Sequence, residues 1–189
     1  LKNAGIHELD HHYLPQHKLI NLLHHNFRYE FDTKLLGSTG AIAEFWNVIS
    51  QNDPIIVKLK ADHPNYKSCC IPIVIHGDGA PCTNNHTLDT ISFESLLAKR
   101  SVDTCCSTLD YIFYISGVFT QTMIDATGDL DGTSTAMWKP IVHSLTACYR
   151  GLWPDASPNG DAYPENSLNH KKLVEGLHWQ VVVLWFLGC

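Results

Sequence analysis

The stretch that decides the fold is Cys70-Ile71-Pro72-Ile73-Val74-Ile75-His76-Gly77-Asp78-Gly79. Its first six residues form a short apolar run rich in β-branched side chains, which is typical of a buried strand. The two glycines on either side of Asp78 favour a turn. The pattern therefore predicts a strand over residues 70–75 and a turn over His76, Gly77, Asp78 and Gly79, with Asp78 presented at the end of the strand.

Strands and a helix are predicted on the C-terminal side of this stretch. Residues 87–97 and 109–115 alternate or run apolar in the manner of strands, and residues 177–187 predict a last strand. Between them, Trp138 to Leu152 carries an apolar face at helical spacing, with Pro140 near the expected start. The polar, Gly- and Pro-rich segments 125–135 and 153–169 predict loops.

On the N-terminal side, apolar residues recur at helical spacing from Ile20 to Phe27 and from Ile42 to Ile49. We therefore expect a helical arm over residues 1–60 and an α/β core over residues 61–189. Three strands, a helix and a strand are the opening of the ribonuclease H-like fold, so the expected class is mixed α/β with an incomplete RNase H-like core. Because the chain starts at Leu1 and stops directly after an apolar strand, we expect it to be a fragment.

Composition narrows the function classes. The chain has 189 residues, 44% hydrophobic and 17% charged, which is ordinary for a globular protein. A net charge of −6 argues against a large nucleic-acid footprint within this segment, because phosphate binding needs clustered Lys and Arg. Seven Cys without a Cys-x-x-Cys motif exclude a zinc ribbon. The longest apolar run, Val181 to Leu187, is far below the ~20 residues of a membrane helix. We expect an intracellular protein without a membrane partner.

Asp78 is the candidate catalytic residue and metal ligand. Two-metal phosphoryl transfer requires rigidly held carboxylates that place Mg²⁺ or Mn²⁺ ions roughly 4 Å apart, and a strand-end carboxylate suits that task. His76, Gly77 and Gly79 would form the supporting turn. The alternative is that the Asp78 carboxylate caps the same turn by bonding its own backbone.

Three other motifs compete for a function. A strand followed by His-Gly also opens the oxyanion loop of α/β-hydrolases, but the nearest nucleophile motif, Gly132-Thr133-Ser134-Thr135-Ala136, lacks its final glycine. Asp129-x-Asp131-Gly132 suggests a calcium loop, yet its first and twelfth positions would be Thr127 and Trp138, which carry no carboxylate. The early histidines predict a solvated face rather than a metal site; they are His7, His11, His12, His17, His24 and His25. A non-enzymatic interaction or structural domain is the remaining alternative.

Residues 71–81 resemble an uncharacterised family, abundant in some protist genomes, whose pattern is Ile-Pro, apolar residues, His-Gly-Asp-Gly, one residue and Pro. Two further segments agree in order, Glu44-Phe45-Trp46 and the stretch from Trp138 to Asp155. That family looks like the core of CACTA-type cut-and-paste DNA transposases. The resemblance implies DNA as the partner of the full-length parent, a nuclear location, Mg²⁺ or Mn²⁺ as cofactor, and Asp78 as a metal-binding catalytic residue.

The chain departs from that family at the end of its last strand. The family pattern has Gly-Asp there, whereas this sequence has Gly188-Cys189. A thiolate is a soft ligand that prefers zinc or copper, while Mg²⁺ requires oxygen ligands. The departure implies that the chain as given is inactive.

Overall fold

The computed structural model describes residues 11–83, 86–98, 108–124, 132–175 and 179–188. Seven α-helices lie in this part of the chain: α1 (Gln16–Asn26), α2 (Arg28–Phe31), α3 (Ala41–Val48), α4 (Pro54–Asp62), α5 (Tyr66–Cys69), α6 (Thr133–Arg150) and α7 (Leu168–Glu175). A π-helical turn, Asp32–Leu36, continues α2. The four strands described are β1 (Cys70–Thr83), β2 (His86–Ser95), β3 (Phe113–Phe119) and β4 (Gln180–Gly188).

The four strands form one mixed sheet in the order β3-β2-β1-β4. β1 pairs antiparallel with β2, and β2 pairs antiparallel with β3. β4 returns after α6 and α7 to lie parallel to β1. A sheet with helices before it and between its third and fourth strands confirms the mixed α/β class.

The predicted turn at residues 76–79 is wrong. β1 continues through His76, Gly77, Asp78 and Gly79, and each of them has a partner on β2. Neither Gly77 nor Gly79 adopts a positive φ. The cross-strand hydrogen bonds of a long hairpin hold this segment extended, and that pairing outweighs the local turn preference of glycine.

Helices cover both faces of the sheet. On the first face, Ile71, Ile73 and Ile75 pack with residues from α1, α2 and α6. On the second face, Cys70 packs with Trp46 of α3 and with residues from α4 and α5. Side chains alternate along a strand, so His76 and Asp78 lie on the second face with Cys70. The helices before residue 60 thus contribute to both cores, and the domain boundary at residue 60 stays a prediction.

Several predicted boundaries differ from the structure. The third strand begins at Phe113 instead of residue 109, because Thr108–Tyr111 forms a 3-10 turn. α6 begins at Thr133, seven residues before Pro140, and ends at the left-handed Gly151. α7 starts inside the predicted loop 153–169. Of the predicted loop 125–135, residues 125–131 lie outside the described part.

Within the described ranges, no helix is long and apolar enough to cross a membrane.

Candidate functional site

Asp78 is an exposed residue in the middle of the β1–β2 hairpin. It pairs with Thr90, whose Oγ1 donates to the main-chain oxygen of Asp78 at 3.2 Å. Across the part of the chain that the structure describes, no hydrogen bond or ion pair occupies the Asp78 carboxylate. Because residues 77–79 form a strand, the carboxylate does not cap a local turn, and it is open to a ligand from solvent.

The parallel pairing of β1 and β4 brings the end of β4 beside Asp78, while β1 continues to Thr83. Gly77 pairs with Gly188, and His76 pairs with Leu187. The last described residue of β4 is therefore opposite the residue that precedes Asp78. The next residue, Cys189, lies outside the described residues, so its proximity to Asp78 stays a prediction.

The sequence prediction missed Glu94, a mostly buried carboxylate on the same face of the sheet as Asp78 and four residues further along β2 than the Asp78 partner, Thr90. Its Oε1 is 3.2 Å from His76 Nε2, and the two side chains are 12% and 26% exposed. Glu94 pairs with Val74 on β1, so it lies on the second face with His76 and Asp78. The available signal was its place in the alternation, since Ile91 and Phe93 face the first core and the position after Phe93 faces the second.

We refer to His76, Asp78, Thr90 and Glu94 as the polar strip of the second face. Its polar side chains follow directly on the apolar part of β1, which α3 to α5 cover. A His–carboxylate pair at this spacing can hold or pass a proton, and the exposed Asp78 beside it can accept a cation.

The polar strip does not by itself make a magnesium site. Mg²⁺ requires several oxygen ligands in near-octahedral geometry. Asp78 pairs with Thr90, which lies four residues before Glu94 on β2. The positions of the Asp78 and Glu94 carboxylates are therefore separated by roughly 13 Å along the strand. Within the described residues, no group of three His, Cys, Asp or Glu side chains is placed to hold a metal ion. Asp78 stays a predicted metal ligand.

The candidate nucleophile of a hydrolase, Ser134, is exposed in the first turn of α6. Gly132 is the N-cap of that helix. The segment before it, 125–131, which contains Thr127 and Asp129, lies outside the described residues. No hydrogen bond joins Ser134 to a histidine in the described part of the chain. The strand-to-helix elbow of a hydrolase therefore stays an untested alternative.

The prediction of a solvated histidine face is wrong for His17. This residue is 3% exposed, and its Nδ1 lies 2.8 Å from Ser144 Oγ on α6. Burial, followed by the neighbouring charges of Lys18 and His143, lowers the pKa of His17 to about 3. His11 bonds Ser116 Oγ on β3 at 2.6 Å, and His7 lies outside the described residues.

Searches of protein-family models, curated proteins and solved structures found no match to this chain. The functional argument therefore depends on the geometry of the sheet and its polar strip.

Proposed function

We propose that this chain is the sheet core of a transposase-like protein with a ribonuclease H-like fold. In this proposal Asp78 is one carboxylate ligand of a Mg²⁺ or Mn²⁺ centre that cleaves phosphodiester bonds in the full-length parent. The observation that carries the proposal is the parallel pairing of Gly77 with Gly188, which sets the end of β4 beside Asp78 within β1.

Strand order supports this reading. The ribonuclease H-like fold needs a first strand that bears one metal-binding carboxylate and a strand after the first helix that bears the second. Those two carboxylates can share metal ions only if the two strands are neighbours and run in the same direction. β1 and β4 satisfy both conditions, with α6 in the connection between β3 and β4.

Ligand chemistry indicates that the chain as given does not cleave DNA. The position after Gly188 is a cysteine, and a thiolate does not replace a carboxylate as a ligand of Mg²⁺. Catalysis in the parent then depends on carboxylates supplied by other residues. DNA as substrate and a nuclear location belong to this same proposal. Because the net charge of the chain is −6, most of the contacts with DNA phosphates would come from other parts of the parent.

Restoring the missing carboxylate tests the proposal. The variant Cys189→Asp should bind Mn²⁺ at least tenfold more tightly than the unmodified chain, because a second carboxylate would join Asp78 at the metal. Adding Asp78→Asn to that variant should remove the gain. Calorimetric titration gives the affinities, and Mn²⁺ should broaden the amide NMR signals of Gly77 and Gly188 before those of other residues.

Asp89 provides the matched control. It is the neighbour of Thr90 on β2, and it lies on the first face opposite Gly79. Asp89→Asn should leave the Mn²⁺ affinity of the Cys189→Asp variant unchanged. If Cys189→Asp gains no affinity, or if Asp89→Asn abolishes the gain as effectively as Asp78→Asn, Asp78 is not part of a two-strand metal site.

A non-enzymatic interaction domain is the second candidate. It is favoured by the absence, among the described residues, of a group of three His, Cys, Asp or Glu side chains that could hold a metal ion. This candidate predicts that the Cys189→Asp variant does not bind Mn²⁺ and that Asp78→Asn leaves the fold unchanged. The hydrolase alternative predicts labelling of Ser134 by an active-serine probe, and a lack of labelling would exclude it.

A further inference from the structure

Two adjacent cysteines converge on one oxygen atom at the junction of α5 and β1. Cys70 Sγ donates to Gln180 Oε1 at 3.2 Å, and Cys69 Sγ lies within donating distance of the same oxygen at 3.2 Å and of the Asn65 main-chain oxygen at 3.3 Å. Successive side chains within a strand point to opposite faces. These two point to the same atom because the chain changes from helix to strand between them, with α5 ending at Cys69 and β1 beginning at Cys70.

The shared acceptor is held in place from two sides. Gln180 is the first residue of β4, and its backbone pairs with that of Cys70. Its side chain packs against Gly151, the left-handed residue that ends α6, where a Cβ atom would lie only 3.0 Å from Gln180 Cγ. The two thiols therefore meet at a position that the ends of three elements define.

The two thiols differ in burial, and their buried setting decides between a metal complex and a disulfide. Cys70 is fully buried, whereas Cys69 is partly exposed and open to a small reagent. Burial, the neighbouring Cys69 and a side-chain hydrogen bond with Cys69 raise the pKa of the Cys70 thiol well above its usual range. A Cu⁺ ion bound by two thiolates would leave a net charge in this interior, and a zinc ion would need further ligands, whereas a disulfide is neutral and needs only the two sulfur atoms. The setting favours the disulfide.

We infer that Cys69 and Cys70 form a reversible vicinal disulfide when the protein meets a low-molecular-weight disulfide such as oxidised glutathione. The exposed Cys69 thiol loses its proton and its sulfur attacks the glutathione disulfide, which gives a mixed disulfide on Cys69 and one glutathione thiol. Cys70 then loses its proton, and its sulfur attacks Cys69 Sγ and releases the second glutathione. The protein loses two electrons and two protons, and one glutathione disulfide becomes two thiols.

Closure of the disulfide removes both S–H donors from Gln180 Oε1. The side-chain oxygen of the first β4 residue then loses the hydrogen bonds that tie it to the α5–β1 junction. We expect the oxidised protein to unfold at a lower temperature than the reduced protein and to regain its stability on reduction.

The experiment equilibrates the folded full chain in glutathione buffers of graded oxidised-to-reduced ratio, followed by alkylation and peptide mapping. The peptide with Cys69 and Cys70 should lose two hydrogens and resist alkylation as the buffer becomes oxidising. Mapping separates this pair from Cys105-Cys106. In Cys70→Ser, Cys69 should accumulate as the mixed disulfide, whereas in Cys69→Ser, Cys70 should stay reduced.

Two variants make the result decisive. Gln180→Leu removes the shared acceptor from the reduced form, so its dithiol should oxidise at a several-fold lower oxidised-to-reduced ratio. Cys82→Ser removes an exposed thiol and should leave the Cys69–Cys70 equilibrium unchanged. The inference is overturned if the native chain accumulates the mixed disulfide on Cys69 without closing the ring, or if ring closure disappears in Cys82→Ser.

Discussion

Acidification should destabilise this protein through His17, a histidine held neutral between α1 and α6. The ring is 3% exposed, contacts Trp153 edge-on with the ring centroids 5.0 Å apart, and bonds Ser144 Oγ at 2.8 Å. Its pKa is lowered from 6.5 to about 3 in the folded protein. The unfolded chain therefore takes up a proton below pH 6.5 that the folded chain refuses until about pH 3, so this contribution to stability is lost as the pH falls.

The magnitude follows from proton linkage. Each pH unit between the two pKa values costs about 1.4 kcal/mol of unfolding free energy, and the loss between pH 7 and pH 5 amounts to about 2 kcal/mol. His17→Gln does not titrate in this range and can still reach Ser144 through its amide. The difference in unfolding free energy between the native protein and this variant should therefore shrink by about 2 kcal/mol from pH 7 to pH 5.

Urea denaturation followed by tryptophan fluorescence at both pH values measures this difference. The other histidines are common to both proteins, so their contributions cancel in the difference. His12→Gln, at an exposed histidine, should show the pH dependence of the native protein. Parallel pH dependence in the native protein and His17→Gln would refute the argument and show that His17 is protonated in the folded state.

Three further predictions concern packing and electrostatics. Trp46→Phe removes the indole that donates to the Cys70 carbonyl at 2.9 Å in a fully buried site, and should cost about 2–3 kcal/mol in urea denaturation; a loss near zero would contradict this. Gly37→Ala drives a Cβ into the Leu97 carbonyl at a φ of +72°, so it should destabilise the protein far more than Gly160→Ala, where φ is +91° and no atom lies within 4 Å. Equal thermal stability of these two variants would be the contrary result. Tyr149→Phe removes a donor to Asp62 at 2.6 Å; hydrogen bonds from Lys58, then Tyr149, lower the Asp62 pKa, so an NMR titration of the variant should find it raised. An unchanged Asp62 pKa would mean that Lys58 alone sets it.

The sequence predicts the elements whose signal is local. The apolar start of β1, the amphipathic α1 and α3, and the apolar β4 all have the expected type and place. Two of the errors, at residues 76–79 and at His17, share one cause, which is pairing or packing with residues far along the chain. Residues 76–79 are a strand because β2 lies beside them. His17 is buried against α6, where its hydrogen-bond partner Ser144 lies 127 residues further along the chain.

The candidate site follows the same rule. Asp78 stands out in the sequence because two glycines flank it, but the sequence does not indicate which face of the sheet it occupies. The alternation along β2 indicates that Glu94 faces away from Ile91 and Phe93, but its place beside His76 is seen only when β1 and β2 are aligned. The parallel pairing of β1 with β4, and its register with Gly77 opposite Gly188, needed the structure.

The second face of the sheet divides into two halves with different physical roles. Near Cys70 it is apolar and covered by α3 to α5, and this half supplies the burial that stabilises β1. Near Asp78 the same face is polar and open, about eight residues or roughly 26 Å further along the strand. β4 connects the two halves, because its first residue accepts from Cys69 and Cys70 while its last described residue pairs beside Asp78. Its register on β1 is therefore the one structural feature on which both the proposed metal site and the proposed disulfide depend.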